Sequence, residues 1–459
     1  MLTYELKKSP GVPLYEALYR CIRSDILTGK LKAGEKLPSK RTLAQHLEVS
    51  KITVETAYSQ LLAEGYIQSR EKVGYFVEAL DHAPPASIPQ PAQISQEKPP
   101  ILDLTGGVDG HFPFSVWSRL MREVILDYDK QLLLPLPNRG VRELRQAIAA
   151  HLAAFRGMQV DPENILVGAG TDFLYNLLIQ LLGRDRIYAL EEPGYGKIHQ
   201  IYCAGGVNCV SAEMDDKGVI PERLRGDVLH ISPSHHFPTG LVTPLNRRKA
   251  LIQWAKAGEK WIIEDDYDSE FRFDAHPLPT LRSLDSSRVI YMNSFSKTLA
   301  PSIRISYMVL PGELMADFQS RLGFYSCTVP SFEQYTLARF LSRGHFEAHI
   351  NRMRKFYKNR RNQVIQLLNS WEFSHKLTIL EQDAGLHFLL KLDTELTDSE
   401  IIHRLHSLGI RVRTLSQYYR QDPGEHNMHH LVINYAGLEP SRLQEALPLF
   451  SCLFPQTGI

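Results

Sequence analysis

Tyr291-Met292-Asn293-Ser294-Phe295-Ser296-Lys297-Thr298-Leu299-Ala300-Pro301-Ser302-Ile303-Arg304 is the stretch from which the larger part of this chain is read. The apolar run Val289 to Met292 predicts a buried strand. It breaks into small hydroxylated residues, then Lys297, then a loop with Arg304 seven positions on. Open α/β sheets bind ligands at the carboxyl ends of their parallel strands, and a lysine that ends a buried strand stands there. Ser294 and Ser296 bring hydroxyls, and Arg304 brings a planar fork suited to a phosphate. An amine to hold an aldehyde, with donors to hold a phosphate, is the chemistry of a pyridoxal phosphate (PLP) Schiff-base site. Taken alone, Ser-x-Ser-Lys equally suits a solvated lysine on a loop.

Working outward, apolar runs with polar ends alternate with long helical patterns from Ile101 onward, the mark of an α/β sheet. Ile165-Leu166-Val167-Gly168 reads as a strand, and Ala169-Gly170-Thr171-Asp172 turns into a helix over Phe173–Leu182. Free N–H groups, the helix dipole and the Thr171 hydroxyl make that turn an anion site, although most such turns are plain helix starts. Asp185 to Leu190 reads as another strand, and the Pro193-Gly194 break after it presents the ring of Tyr195. A third, from Trp261, ends in Glu264, Asp265 and Asp266 beside Tyr267. Like charges crowded at a strand end repel, so a cationic partner is expected. A protonated pyridine nitrogen would serve; a metal or plain solvation are the alternatives.

With 52 Lys and Arg against 51 Asp and Glu, the whole-chain charge points to no polyanionic partner, so any such partner needs a local patch. The five cysteines (21, 203, 209, 327 and 452) are scattered and lack metal-ligand spacing, which predicts reduced thiols and no metal site. No stretch approaches membrane-spanning length and no apolar leader follows Met1, so a cytoplasmic protein is expected.

The first eighty residues read differently. Leu14, Leu18, Ile22 and Ile26 recur every four positions, an amphipathic helix closed by Gly29. Ser39 caps a short helix carrying Leu43, Ala44 and Leu47; Val49 fills the turn, and Ser50 caps a second helix whose Val54, Ala57, Leu61 and Leu62 face inward. Two short helices about a tight turn make a helix-turn-helix, whose second helix enters the DNA major groove. Lys51, Thr53 and Thr56 lie near the end that reaches base edges. Residues 67–77 read as two strands about a basic turn, the wing of a winged helix. Residues 1–78 hold 12 Lys and Arg against 9 Asp and Glu, a modest phosphate-binding footprint. A helical oligomerisation domain is the competing reading. From Asp81 to Pro100, six prolines and almost no large apolar residues predict a semi-extended linker, about 3.1 Å per residue. The expected organisation is therefore 1–80, a linker at 81–100, and a large domain at 101–459.

Leu14-Tyr15-Glu16-Ala17-Leu18, Gly29 through Arg41, Val49-Ser50-Lys51-Ile52-Thr53-Val54 and Ala63-Glu64-Gly65-Tyr66-Ile67 resemble the GntR-type winged helix. That resemblance implies DNA contacts from Ser39, Lys40, Arg41, Ser50, Lys51, Thr53 and Thr56, with Lys72 and Gly74 at the wing. Lys51 stands where arginine is usual, which weakens bidentate base readout, and the wing turn lacks the usual proline and serine. Downstream, the phosphate turn, Tyr195, Ser234-His235-His236-Phe237-Pro238-Thr239-Gly240, Asp265-x-Tyr267, and Ser-x-Ser-Lys297 with Arg304 follow one order. It is that of fold-type I PLP enzymes of the aspartate aminotransferase class. The whole chain resembles the MocR/GabR family of transcriptional regulators. The resemblance implies that Lys297 forms the Schiff base with PLP, Asp265 pairs with the pyridine nitrogen, Tyr267 bonds the ring O3′, and Tyr195 stacks on the ring. It implies that Gly170, Thr171, Ser294, Ser296 and Arg304 bind or lie beside the phosphate. It also implies a double-stranded DNA operator and a head-to-tail, domain-swapped homodimer.

Departures bear on activity. Aminotransferases hold the substrate carboxylate with an arginine near the C-terminus, where this chain has Val432. Phe237 stands for the asparagine of Asn-Pro-Thr-Gly, which removes a bond to O3′. Lys197 falls where some relatives carry a ligand-binding arginine, and Arg411, Arg413, His236 and His387 are alternative donors. The expected function is a PLP-dependent regulator, without efficient turnover, that senses an amine metabolite or PLP itself, the latter making it a regulator of vitamin B6 synthesis. A working aminotransferase with a DNA-binding appendage, and a regulator whose large domain is only a scaffold, are the other readings.

Overall fold

The computed structural model describes residues 2–4, 13–70, 73–79, 100–107, 111–273, 278–380, 385–420 and 429–454. Packing divides the chain into two units, residues 1–98 and 99–459. Lys72 and, apart from Pro100, the Pro-rich stretch read as a linker lie outside the described residues.

The first unit has α1 (Leu14–Leu27), α2 (Lys40–His46) and α3 (Lys51–Ala63), then β1 (Ile67–Arg70) and β2 (Gly74–Val77). Leu18, Ile22 and Ile26 of α1 are buried against Leu43 of α2 and Val54, Ala57 and Leu61 of α3. Periodic leucines and β-branched residues thus form one small core. Ser39 and Ser50 each accept a backbone N–H from the third residue on, Thr42 and Thr53, at 3.1 Å, satisfying helix donors that would otherwise have no partner. β1 and β2 pair antiparallel with Ile67 opposite Val77 and Arg70 opposite Gly74. Gly74 takes a φ of 130° there, a conformation open to glycine alone at low cost.

The second unit is an α/β fold. Its sheet comprises β4 (Ile165–Gly168), β5 (Ile187–Glu192), β6 (Asn208–Asp215), β7 (Gly218–Val219), β8 (Val228–Ile231), β9 (Trp261–Asp265), β10 (Val289–Ser294) and β11 (Ser306–Val309). Their spatial order is β4-β11-β10-β9-β8-β5-β6-β7. Neighbours from β10 to β6 run parallel, and β11 is antiparallel to both β10 and β4. Helices on both faces leave β9 and β10 buried along their whole length, which is why they read as continuous apolar runs. Five further strands complete the unit among the described residues: β12 (Leu377–Leu380), β13 (His387–Leu392) and β15 (His430–Asn434) form an antiparallel sheet, while β3 (Leu102–Asp103) pairs parallel with β14 (Ile410–Arg411).

Helices used below are α4 (Phe114–Tyr128), α5 (Arg142–Arg156), α6 (Thr171–Leu182), α7 (Gly196–Ala204), α8 (Leu245–Ala257) and α9 (Leu281–Leu284). Against the expected elements, α6 starts two residues earlier, at Thr171, because Gly170 takes a φ of 86° and ends the turn abruptly. β5 starts at Ile187 rather than Asp185, and β9 ends at Asp265, where the sequence alone does not mark the stop. No helix among the described residues is long and apolar enough to cross a membrane.

Candidate functional site

Because β4, β5, β9 and β10 all run the same way, their carboxyl ends open on one edge. Gly170 follows β4, Tyr195 follows β5, Asp265 and Tyr267 close β9, and Ser294, Ser296 and Lys297 close β10. This is the crevice where such sheets bind ligands. Lys297 lies exposed on the turn after β10. Ser294 is buried and accepts the N–H of Ser296 at 3.1 Å, so the turn that carries Lys297 is closed by the serine hydroxyl.

Gly170 lies against Arg304. A methyl group on Gly170 would sit 2.3 Å from Arg304 Nη2, and Arg304 holds a left-handed φ of 51° of its own. The N-terminus of α6, the bare glycine and the guanidinium make a cradle for an anion. Asp172, on the first turn of α6, accepts from Arg304 Nη2 at 3.2 Å and from Lys197 Nζ at 2.8 Å through one oxygen. Lys197 therefore belongs to this cationic group by way of Asp172, a residue the sequence reading passed over although it follows Thr171 directly. We expect Gly170→Ala to displace Arg304 and to strain the backbone by about 1–2 kcal/mol. Titration with PLP should show weakened binding while the thermal transition falls only slightly; unchanged PLP affinity would remove the cradle from the site.

The three crowded carboxylates resolve into three environments. Glu264 accepts N–H bonds from Leu281 and Arg282 at the start of α9, at 2.8 and 2.9 Å, and burial pushes its carboxyl up to about 7. Asp266 pairs with Arg156 at 3.0 Å, and both side chains are fully buried. Burial works to raise its pKa, but Arg156, Ser234 and Tyr291 outweigh it and hold it below the usual carboxylate range. Of the three, Asp265 has no Arg or Lys partner among the described residues. Its Oδ2 accepts from Tyr175 at 2.5 Å and lies 3.6 Å from His230 Nε2, while its Oδ1 is buried with no donor among the described residues. The room for an outside donor thus lies at one carboxylate, not three, and a buried acceptor of this kind is what a pyridinium N–H would satisfy. Arg156 and Tyr175 were missed in the sequence because each partner lies 90 or more residues away.

The rest of the pocket is aromatic and imidazole-rich. Tyr267 Oη lies 3.5 Å from His235 Nδ1, which bonds Asp268 at 2.9 Å. Tyr195, half-exposed, meets Phe237 edge-on at 5.8 Å, and Phe237 in turn packs against His387 and Tyr418. Burial pushes His236 down to about 3 and His387 well below its ordinary range, so both are neutral. Glu191, buried beneath them with Ser232 N–H on its oxygen, is pushed up to about 8 by that burial.

Val432 is buried among Leu389, Leu415 and Tyr418. The described residues of that cluster carry no charge, and burial keeps His236 and His387 uncharged. Arg411 pairs with Asp103 at 3.2 Å. Arg413 differs: its carbonyl receives the Val432 N–H at 2.9 Å, its guanidinium stands exposed over the Tyr418 ring, and no carboxylate among the described residues pairs with it.

On the small unit, Arg41, Lys51 and Thr56 are exposed, as are Ser39 and Ser50, whose hydroxyls cap α2 and α3. Lys40 is held by Glu55 at 2.8 Å and lies over the Tyr75 ring, Thr53 is half-buried, and Thr56 bonds the Ile52 carbonyl.

Comparison with known proteins matches these two constructions. Residues 14–77 fit the bacterial regulatory proteins of the gntR family, and residues 107–448 fit aminotransferase class I and II. The probable rhizopine catabolism regulatory protein MocR of Rhizobium meliloti is 32% identical, over 96% of this chain and 94% of its own length. The chain belongs to the MocR-type transcriptional regulators. The pyridoxine biosynthesis regulator PdxR of Corynebacterium glutamicum is 31% identical over 87% of each chain. An archaeal alanine:glyoxylate aminotransferase superposes with a TM-score of 0.68, at 21% identity, over 78% of this chain and 91% of that one. This regulator therefore carries a GntR-type winged helix-turn-helix for DNA and a fold-type I domain of a PLP-dependent family.

Proposed function

We propose that this MocR-type regulator holds PLP at the strand-end site and lets an amine-bearing metabolite, or PLP itself, change its affinity for an operator. Asp265 Oδ1, buried at the strand end with no donor among the described residues, carries the reading, because a pyridinium N–H would satisfy it with both a hydrogen bond and a charge. Lys297 would supply the amine for the aldehyde, Asp265 the counter-ion for the ring nitrogen, Tyr267 a donor to O3′ and Tyr195 a face for the ring. Gly170, Thr171, Ser294, Ser296 and Arg304 would hold the phosphate. Bound PLP supplies an electrophilic carbon that exchanges one amine for another.

The chain's own residues favour sensing over turnover. Val432 lies in an apolar cluster, and valine cannot replace a bidentate carboxylate clamp. Arg413, exposed over the Tyr418 ring and without a carboxylate partner among the described residues, would receive an anionic group set differently from that of an α-amino acid, as in a γ-amino acid, sulfonate or dipeptide. The name of PdxR supports PLP as the signal. Steady amino transfer to a keto acid would favour the aminotransferase reading instead.

We read the domain organisation as 1–80, 81–100 and 101–459. We read the active form as a homodimer with head-to-tail exchange of domains. Leu126, Leu133, Leu134 and Phe324, each at least 62% exposed, supply apolar surface for a second copy.

The test starts with duplexes selected from a random pool by the full-length protein. Lys51→Ala and Arg41→Ala should each weaken binding, and each lost phosphate contact should reduce the salt slope by about 0.9. PLP, or an amine added to the PLP-loaded protein, should shift operator affinity by roughly tenfold, about 1.4 kcal/mol. A ligand that binds both conformations equally shifts nothing. Identical affinities in every state would end the sensor reading while leaving DNA binding intact.

A further inference from the structure

Away from the strand-end site, His199, Cys203 and Cys209 meet where α7 runs into β6. One ligand atom from each lies within 4.8 Å of those of the other two. His199 and Cys203 are four apart on α7 and so share a face, with His199 Nε2 3.4 Å from Cys203 Sγ. The chain then turns at Gly205-Gly206, Gly206 taking a left-handed φ of 80°. That turn returns Cys209 beneath the helix as the second residue of β6, where it is held in parallel register opposite Tyr188. The spacing His-x3-Cys-x5-Cys matches no standard zinc motif. The helix-to-strand turn creates the cluster, which is why the sequence predicted none.

A tetrahedral d10 cation binds thiolate sulfur at about 2.3 Å and imidazole nitrogen at about 2.0–2.1 Å, which sets ligand atoms about 3.6–3.8 Å apart. The separations here already approach that edge length, so little movement is needed. Two thiolates and one imidazole also match a divalent thiophilic cation in charge and softness. We propose that His199, Cys203 and Cys209 form a site for a thiophilic d10 cation, Zn2+ above all, with the fourth position open to water. Cys203 is exposed and the other two are half-buried, so the cation enters from solvent and exchanges. The helix it clamps starts directly after Tyr195 and carries Lys197. His199 also lines a cavity of about 30 Å³ together with Glu191, Tyr195, His230 and Arg420. Occupancy would therefore fix the wall of that cavity and the helix that presents Tyr195.

The experiment titrates reduced, tag-free, full-length protein, first stripped with a chelator, with Co2+ and then with Zn2+. One equivalent of Co2+ should give tetrahedral d–d bands and a thiolate-to-cobalt charge-transfer band, both lost on adding Zn2+. Cys203→Ser and Cys209→Ser should each lower the affinity roughly tenfold or more, the double variant should show no charge-transfer band, and Cys327→Ser should behave as wild type. Circular dichroism confirms that the variants fold. A missing charge-transfer band, or one that persists in the double variant, would overturn the proposal. So would a Cys203–Cys209 disulfide found by mass spectrometry in protein that takes up no Co2+ after reduction.

Discussion

Lys297→Ala is expected to abolish the near-visible absorption band that borohydride removes from PLP-loaded protein, and with it the response of DNA binding to amines. Lys297 is exposed on the turn after β10 and makes no ion pair among the described residues, so its removal should alter stability by no more than about 0.5 kcal/mol. The loss is then chemical, since alanine offers no amine to the aldehyde. The proposed phosphate cradle at Gly170 and Arg304, and the acceptor at Asp265, remain in place, so PLP should still bind, reversibly and more weakly. Absorption spectra of wild type and variant, before and after borohydride, read this directly. A band that survives in Lys297→Ala would place the covalent link elsewhere. A variant that still answers amines normally would make the link irrelevant to sensing.

Arg156→Leu should produce the largest loss of stability, about 3–5 kcal/mol, because it strands Asp266 as an unpaired charge in the interior. Arg156 Nη2 bonds both Asp266 and Ser234, and Tyr291 donates to Asp266 Oδ2 at 2.7 Å. Those contacts tie the end of α5 to the end of β9, next to Asp265. The folded-state pKa of Asp266 lies below its unfolded value. The pair's contribution is therefore present above the unfolded pKa and is lost as pH falls through the folded one. In the variant that acid-side loss should disappear. Thermal unfolding of the large domain between pH 3 and 7 measures both effects. Arg156→Leu combined with Asp266→Leu should recover much of the loss, since buried pairs replaced by apolar residues are often neutral. A single variant within about 1 kcal/mol of wild type would show that Asp266 finds another partner or takes up a proton.

What could be read along the chain was what depends on near neighbours. The caps at Ser39 and Ser50, the amphipathic α1, the apolar run of β10 and the sharp turn at Gly170 follow from local sterics and backbone hydrogen bonding. Each therefore leaves its mark within a few residues of sequence. The order of the two families along the chain was legible for the same reason. What only the tertiary structure decided is which side chain answers which. Glu264, Asp265 and Asp266 are indistinguishable in sequence. The alternation of β9 and the order β10-β9-β8 turn the first to α9, the third to Arg156, and leave the middle one facing the crevice. Lys197 joins Asp172, Arg413 stands over the Tyr418 ring, and two cysteines and a histidine converge across a helix-to-strand turn. None of these has a local signature. Each depends on segments brought together by the sheet order, and interactions of that kind act through space rather than along the chain.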